Sequence, residues 1–470
     1  MKLTDYLGDR PFWQTAAKLA LPVAVQNVLT SSFQLVDTMM VSRLGDVTLS
    51  AVGMAAQWGW MSMLLGLGLC SGMSVFFSQY WGVKDIKGVR RVLGMGVLSG
   101  LFVSLLFLLV AVLDPVFVIR LFNKDPAVVE IGCSYLSIVC FSYPAVLLTG
   151  LLSTALRNTG RVKLPMYVSF FTTVCNAVVN YGLIFGKFGM PELGVAGAAI
   201  ATCISSWLGP VLILIFSAVQ KNILTGPVRE LVAFRWNNLA LFFSRALPPM
   251  LNEGLWGVGI LVFNIIFSNQ GYQYYAAVTI YRTFADLAFA FFVGLGNACV
   301  IMVGNSIGRG DIRRGVSDAR RFSVLVPILS ALIGIATALL RRPLVSVFSS
   351  GGTLSDLTLS TALAVTVFCS LEVTIRNIAY IQVVGIYRSG GDTLAGMLLD
   401  LGCLWLVGIP AAFLAANVLR LRFLGIVAAA YLGEDIPKTI LCFLHFRSMR
   451  WLKPVTEEGR EGLKKWKKET

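Results

Sequence analysis

Twelve long apolar runs dominate this chain. A helix needs roughly 20 mostly apolar residues to cross the hydrocarbon of a bilayer. Such runs read at 13–42, 48–81, 89–113, 127–156, 162–186, 193–219, 240–268, 272–307, 322–341, 357–387, 393–416 and 424–445. Inside lipid each backbone N–H and C=O must be bonded within its own segment, so runs of this kind are helices. The longest connection, about 220–239, carries Lys221, Arg229, Glu230, Arg235 and the turn Gly226-Pro227. The expected fold class is an all-α polytopic membrane protein with twelve transmembrane helices.

Charge confirms the class and orients the chain. Only 13% of residues are charged, against about 25% in a soluble domain, which excludes disorder and argues against a soluble enzyme. The net charge of +15 would suggest nucleic acid in a soluble protein. The positions of the bases decide otherwise. With the N-terminus inside, 27 of the 39 Lys and Arg fall in cytoplasmic segments and 8 in external loops. That is a positive-inside signal, so both termini are expected in the cytoplasm and the bilayer, not nucleic acid, is the partner. The expected location is the plasma (cell inner) membrane, multi-pass, and the expected state a monomer. The first run is too long for a signal peptide and has no small-residue cleavage site, while Asp5 and Asp9 precede it. The nine cysteines form no CxxC pair and mostly lie in apolar runs, as small apolar fillers. The polar tail, ending Lys464-Lys465-Trp466-Lys467-Lys468, is expected to be a solvated end drawn to anionic headgroups.

The chain also repeats itself. Shifted by 226 residues, Ala20-Leu21-Pro22 falls on Ala246-Leu247-Pro248, and Gly45 on Gly271. Ala51-Val52 then falls on Ala277-Val278, Gly68-Leu69 on Gly294-Leu295, and Asp85-Ile86 on Asp311-Ile312. Further on, Arg157-Asn158-Thr159-Gly160 answers Arg388-Ser389-Gly390-Gly391, and Leu193-Gly194-Val195 answers Leu424-Gly425-Ile426. The expected organisation is an N-terminal lobe (1–219, helices 1–6), a cytoplasmic linker (220–239), a C-terminal lobe (240–445, helices 7–12) and a basic tail (446–470). Six helices per half is an even number, so the repeats are parallel, one of the two plans of secondary transporters. Such a repeat argues for alternating access and gives no role to a non-transporting receptor or scaffold.

Several motifs carry a family resemblance. They are Leu21-Pro22, Asp37, Arg43-Leu44-Gly45, Gly82-x-x-Asp85, Leu247-Pro248 with Asn252-Glu253, Gly294-Leu295-Gly296, Gly304-x-x-x-Gly308 and Arg388-Ser389-Gly390-Gly391-Asp392-Thr393. Together they resemble the MATE (multidrug and toxic compound extrusion) family and span nearly the whole chain. The resemblance implies a V-shaped pair of six-helix lobes. It also implies export of small organic compounds, many of them cationic, by antiport with Na+ or H+. Lipid-linked precursor flippases share the architecture. They would favour a cleft rich in free bases, whereas the bases within helices here mostly have acids nearby.

Ionisable groups inside a bilayer are costly, so each asks for a partner or a role. Arg282/Asp286, Glu372/Arg376 and Glu434/Lys438 have the i, i+4 spacing of an ion pair on one helix face. Asp37, Glu253 and Asp400 have no opposite charge one turn away. Asp400 reads as a packing or cavity acid. Asp37 lies in the outer part of helix 1, at the depth of Asn176 and Asn180 on helix 5 and Thr202 on helix 6. One carboxylate with amide and hydroxyl oxygens suits Na+, with Asp37 and Asn180 as ligands, and Asp37 alone suits H+. The bland alternative is interhelical hydrogen bonding. The resemblance bears on the same four positions: in family members an N-lobe cation site uses the helix 1 aspartate, two helix 5 positions and a helix 6 threonine. Some members have a second acid where this chain has Asn180. Glu253, whose repeat counterpart is Asn27, is a candidate for a cationic substrate or second cation, or else a buried acid bonded to Asn252 or a neighbour. The resemblance points to helix 10 for its partner, and the matching position is Asn377, not an acid. Pro22, Pro248, Pro249 and Pro410 are expected to kink their helices. With one His and no HExxH, GxSxG or Walker A motif, neither catalysis nor ATP use is expected, and no cofactor beyond the coupling ion.

Overall fold

The computed structural model describes residues 9–122, 124–233, 236–349 and 355–469, so Asp5 and Arg235 lie outside the described residues. Twelve long helices follow one another: α1 (Arg10–Ser42), α2 (Asp46–Gly82), α3 (Ile86–Leu113), α4 (Pro126–Asn158), α5 (Lys163–Phe185) and α6 (Gly194–Gln220). The second half runs α7 (Trp236–Ser268), α8 (Tyr272–Gly308), α9 (Ile312–Leu339), α10 (Asp356–Gly390), α11 (Thr393–Val418) and α12 (Phe423–Arg447). A short α13 (Glu457–Glu469) ends the described chain. Among the described residues, eleven helices are long and apolar enough to cross a membrane by composition alone. The twelfth, α12, is 25 residues long and carries Glu434, Asp435 and Lys438 at its centre. Phe102, Leu113, Val219 and Leu406 are each over 70% exposed, as expected for side chains that face acyl chains rather than water.

The repeat is visible in local structure. Asp85 caps α3 by accepting from the Gly88 N–H at 2.8 Å, and Asp311 caps α9 by accepting from the Arg314 N–H at 3.1 Å. Capping satisfies backbone donors that a helix start leaves orphaned. The α1–α2 and α7–α8 turns both need a glycine, since Gly45 and Gly271 have φ of +105° and +130°.

Compactness divides the chain elsewhere than at the 220–239 linker. One unit holds 1–24, 78–83 and 251–470; the other holds 25–77 and 84–250. The two crossing points, Ala24/Val25 and Met250/Leu251, are 226 residues apart and therefore repeat-related. They follow directly on Pro22 and on Pro248-Pro249, which stand inside α1 and α7. Proline removes a backbone bond and clashes with the preceding turn, so a helix changes direction most easily there. Pro410 lies between two stretches of wide π-turns in α11, 404–408 and 414–418. A third such stretch, 381–387, interrupts α10.

Each unit has its own apolar core. In one, Val41, Ala55, Leu136, Tyr143, Ile184 and Ala199 pack together. In the other, Phe263, Phe267, Tyr281, Val365, Ala430 and Tyr431 do so. Val41 and Phe267 are repeat counterparts, as are Ala55 and Tyr281, so both cores use the same helix faces.

The tail departs from expectation. Trp451 is fully buried, and Leu452, Val455 and Thr456 are nearly so. Lys453 N–H donates to Gly390 O at 2.7 Å, and Thr456 Oγ1 donates to Gly308 O at 2.8 Å. The end of α2 joins in: Gln79 Nε2 donates to Ser389 O (2.9 Å), and Gln79 Oε1 accepts from Val455 N–H (2.7 Å). Asp392 receives Lys453 Nζ at 2.8 Å and His445 Nε2 at 3.1 Å. Residues 451–456 are thus a docked segment. The charged residues of α13 keep the exposed character that the sequence suggested.

Candidate functional site

Asp37 sits on the α1 stripe that faces the core, one helical turn before the buried Val41. A carboxylate there must find polar neighbours within the unit. Asn180, fully buried on α5, supplies one by donating its Nδ2 to Asp37 Oδ1. The same Nδ2 donates to Asn176 Oδ1 at 3.1 Å, as the i, i+4 spacing on α5 allows. Asn176 Nδ2 in turn donates to Ser205 Oγ on α6 at 3.0 Å. Thr202 Oγ1 donates to Ala198 O at 3.0 Å, one turn back along α6. The Tyr135 hydroxyl on α4 reaches Thr202 and lies close to Asp37. All four residues expected from the sequence therefore converge, Asp37, Asn176 and Asn180 in one hydrogen-bonded chain and Thr202 through Ser205, whose Oγ donates to Thr202 O at 3.1 Å.

Tyr135 and Ser205 were not anticipated. Ser205 sits one turn from Thr202 on α6, and that spacing is the signal that could have found it. Tyr135 carries no sequence signal, because α4 is amphipathic enough to make it an ordinary core residue.

Chemically, the cluster has an unmet need. Asn180 Oδ1 is buried and has no hydrogen-bond partner. A buried acceptor left unpaired is destabilising. A proton on Asp37 would turn the carboxyl into a donor for it. A Na+ held by Asp37 and Asn180 oxygens would satisfy it as well. Among the described residues no three His, Cys, Asp or Glu side chains gather to hold a metal ion, so any cation here depends on one carboxylate and neutral oxygens. Asn180 in place of a second acid suits a monovalent ion.

The second half is built differently. Glu253 is not unpaired, as the sequence suggested: Arg388 Nη2 meets its Oε1 at 2.9 Å. Position 388 lies far along the chain, so no local spacing reveals the pair. Asn252 turns instead to Asp400, donating at 3.0 Å. Asp400 also has a partner across helices, Lys438 Nζ at 3.1 Å. Lys438 further meets Glu434 at 2.6 Å and Asp435 at 3.2 Å. Arg376 approaches Glu372 at 3.9 Å, while both Glu372 carboxylate oxygens are buried without a hydrogen-bond partner. Arg282 does not close on Asp286 to salt-bridge distance among the described residues; its Nη1 donates to Asn264 at 2.6 Å. Asn377 is buried and donates to Ser330 Oγ at 2.8 Å, and no hydrogen bond joins it to Glu253.

A twofold-repeated set of apolar helices, with buried ionisable groups and no nucleophile–base constellation, defines a polytopic membrane transporter rather than an enzyme. The chain belongs to the MatE family, whose model matches twice, over residues 22–182 and 255–414. The two matches fall one in each half, as the repeat requires. The chain is 25% identical over 444 residues to a probable multidrug resistance protein NorM of Thermotoga maritima, covering 93% of this chain and 92% of that one. It is also 25% identical over 447 residues to the multidrug resistance protein NorM of Vibrio cholerae, covering 94% and 96%. Among solved structures, the eukaryotic MATE transporter AtDTX14 superposes with a TM-score of 0.80 at 18% identity, covering 97% and 99%. A mutant of the Vibrio cholerae MATE transporter VcmN does so at 0.82 and 19%, covering 94% and 100%.

Proposed function

We propose that the chain is a cation-coupled exporter of small organic compounds, a monomer of the cell inner membrane with both termini in the cytoplasm. In this reading the repeats, 1–219 and 240–445, are the moving lobes. The observation that carries it is the half-buried Asp37 facing the fully buried Asn180, whose Oδ1 has no partner. An external cation, Na+ or H+, neutralises Asp37 and supplies what Asn180 Oδ1 lacks. Removing a charge from a low-dielectric site is a differential free energy between two arrangements of the helices, and that difference drives the cycle. The organic compound leaves as the cation binds. The multidrug names of the NorM relatives support efflux of several compounds rather than one; in our reading cations are among them. Asn176, Thr202, Ser205 and Tyr135 hold the geometry. Glu253, neutralised by Arg388, serves the site less directly than Asp37, and Asn377 serves packing.

The test uses purified protein in vesicles loaded with a fluorescent cationic dye. Extrusion is followed under an imposed Na+ gradient and, separately, an imposed H+ gradient. The expected result is extrusion under one gradient, abolished in Asp37→Asn. Extrusion by Asp37→Asn at the wild-type rate would overturn the reading.

A further inference from the structure

Arg157 and Arg388 are repeat counterparts, each near the end of its helix, and they are treated differently. Arg388 has Glu253 at 2.9 Å. The position of Glu253 in the first half is Asn27, which carries no charge. Arg157 accordingly makes one hydrogen bond, from Nη2 to the neutral Gln26 Oε1 at 3.3 Å, and no carboxylate stands within salt-bridge distance among the described residues. Its Nε is buried and has no partner. The groups around it do not compensate: Asn158 Oδ1, an acceptor on the next residue, makes no hydrogen bond, and Cys70 is a free thiol. A guanidinium offers five donors in a planar fork that matches an oxyanion two bonds at a time. A half-buried fork with one weak bond and a buried, unpaired Nε is a half-built ion pair, and leaving such a charge without its partner is costly.

Resting on the exporter reading above, we propose that Arg157 receives a carboxylate of the transported compound, which does for Arg157 what Glu253 does for Arg388. The position is distinct from the coupling site. Gln26 and Asp37 share one face of α1, eleven residues apart, which is about 16 Å at 1.5 Å per residue. Thr30, between them on that face, approaches Ser169 on α5 at 3.5 Å. An anion on Arg157 therefore does not displace the cation from Asp37.

The experiment compares two xanthene dyes in reconstituted vesicles, one with a free carboxylate and one its methyl ester. The main variant is Asn27→Glu, which keeps Arg157 and gives it the acid that the second half already has. The expected result is a rise of about tenfold in the KM for the carboxylate dye, the scale of one lost charge-assisted pair, with ester extrusion unchanged. Arg157→Gln should raise the same KM, and Arg157→Lys should restore part of it, since lysine keeps the charge without the fork. A lipid phosphate is the other source of an oxyanion, so vesicles are made with and without phosphatidylglycerol. An Asn27→Glu effect shared equally by both dyes, or confined to vesicles containing phosphatidylglycerol, would overturn the proposal, as would no effect. Unchanged ester extrusion in the same vesicles keeps the exporter reading standing even if the carboxylate proposal fails.

Discussion

The two halves of this chain repeat one backbone and invert its chemistry. In the first half Asp37, Asn176, Asn180 and Thr202 form a polar cluster. Their counterparts in the second half are Phe263, Val407, Ala411 and Gly433, and Phe263 is a fully buried core residue. The converse also holds. Asp400, Glu434, Asp435 and Lys438 gather in the second half, where the first has Ser169, Cys203, Ile204 and Trp207. The difference lies in compensation. The second cluster places a cation among its acids, so its charges hold helices together. The first leaves one acid facing a neutral amide with an oxygen to spare, which is why we propose it for the coupling ion. The same fold thus carries a structural knot in one half and a candidate coupling site in the other.

The largest expected break comes at the knot. Lys438→Met leaves Asp400, Glu434 and Asp435 buried without their cation. Removing one member of a buried charge network costs about 3–5 kcal/mol, so the variant should lose most of its folded yield and melt far lower in detergent. A wild-type melting curve would mean that the cluster is not structural. Next comes the interhelical pair. Glu253→Gln should lower the melting temperature by an amount matching about 2–3 kcal/mol, and Arg388→Gln added to it should recover part of that loss. Strict additivity of the two would show that the pair is not coupled. Smaller still is Ser205→Ala, which removes an acceptor from Asn176 and should cost about 1 kcal/mol while slowing dye extrusion. A stability loss with no change in extrusion would place Ser205 outside the site.

Much of this architecture is legible in the sequence because its causes are local. Apolar runs of membrane length name the helices, and the 226-residue shift names the repeat. The Asp37 cluster is legible too, since helix direction and spacing give depth, and four polar groups at one depth in apolar helices are few. What stays hidden depends on long-range packing. Arg388 meets Glu253 and Lys438 meets Asp400 across helices, and no i, i+4 rule finds them. Conversely, the rule proposed Arg282 and Asp286, but Asn264 on the neighbouring helix offered Arg282 a closer partner. The docking of Trp451 was hidden because a Lys-rich end reads as solvated until Gly390 is seen to admit its ring. The crossing of units at Ala24 and Met250 was hidden as well, although the prolines just before them mark the places.

Asp37→Asn is the smallest change in stability and the largest in function that this comparison predicts. An amide at position 37 still offers an oxygen to Asn180 Nδ2, so melting should stay within about 1 kcal/mol of wild type. The decisive measurement follows dye and ion together in vesicles carrying a trapped H+ or Na+ indicator. Wild-type protein should bring in one cation species as dye leaves, and Asp37→Asn, folded and melting normally, should move neither. Dye export coupled to cation entry in Asp37→Asn would contradict the account.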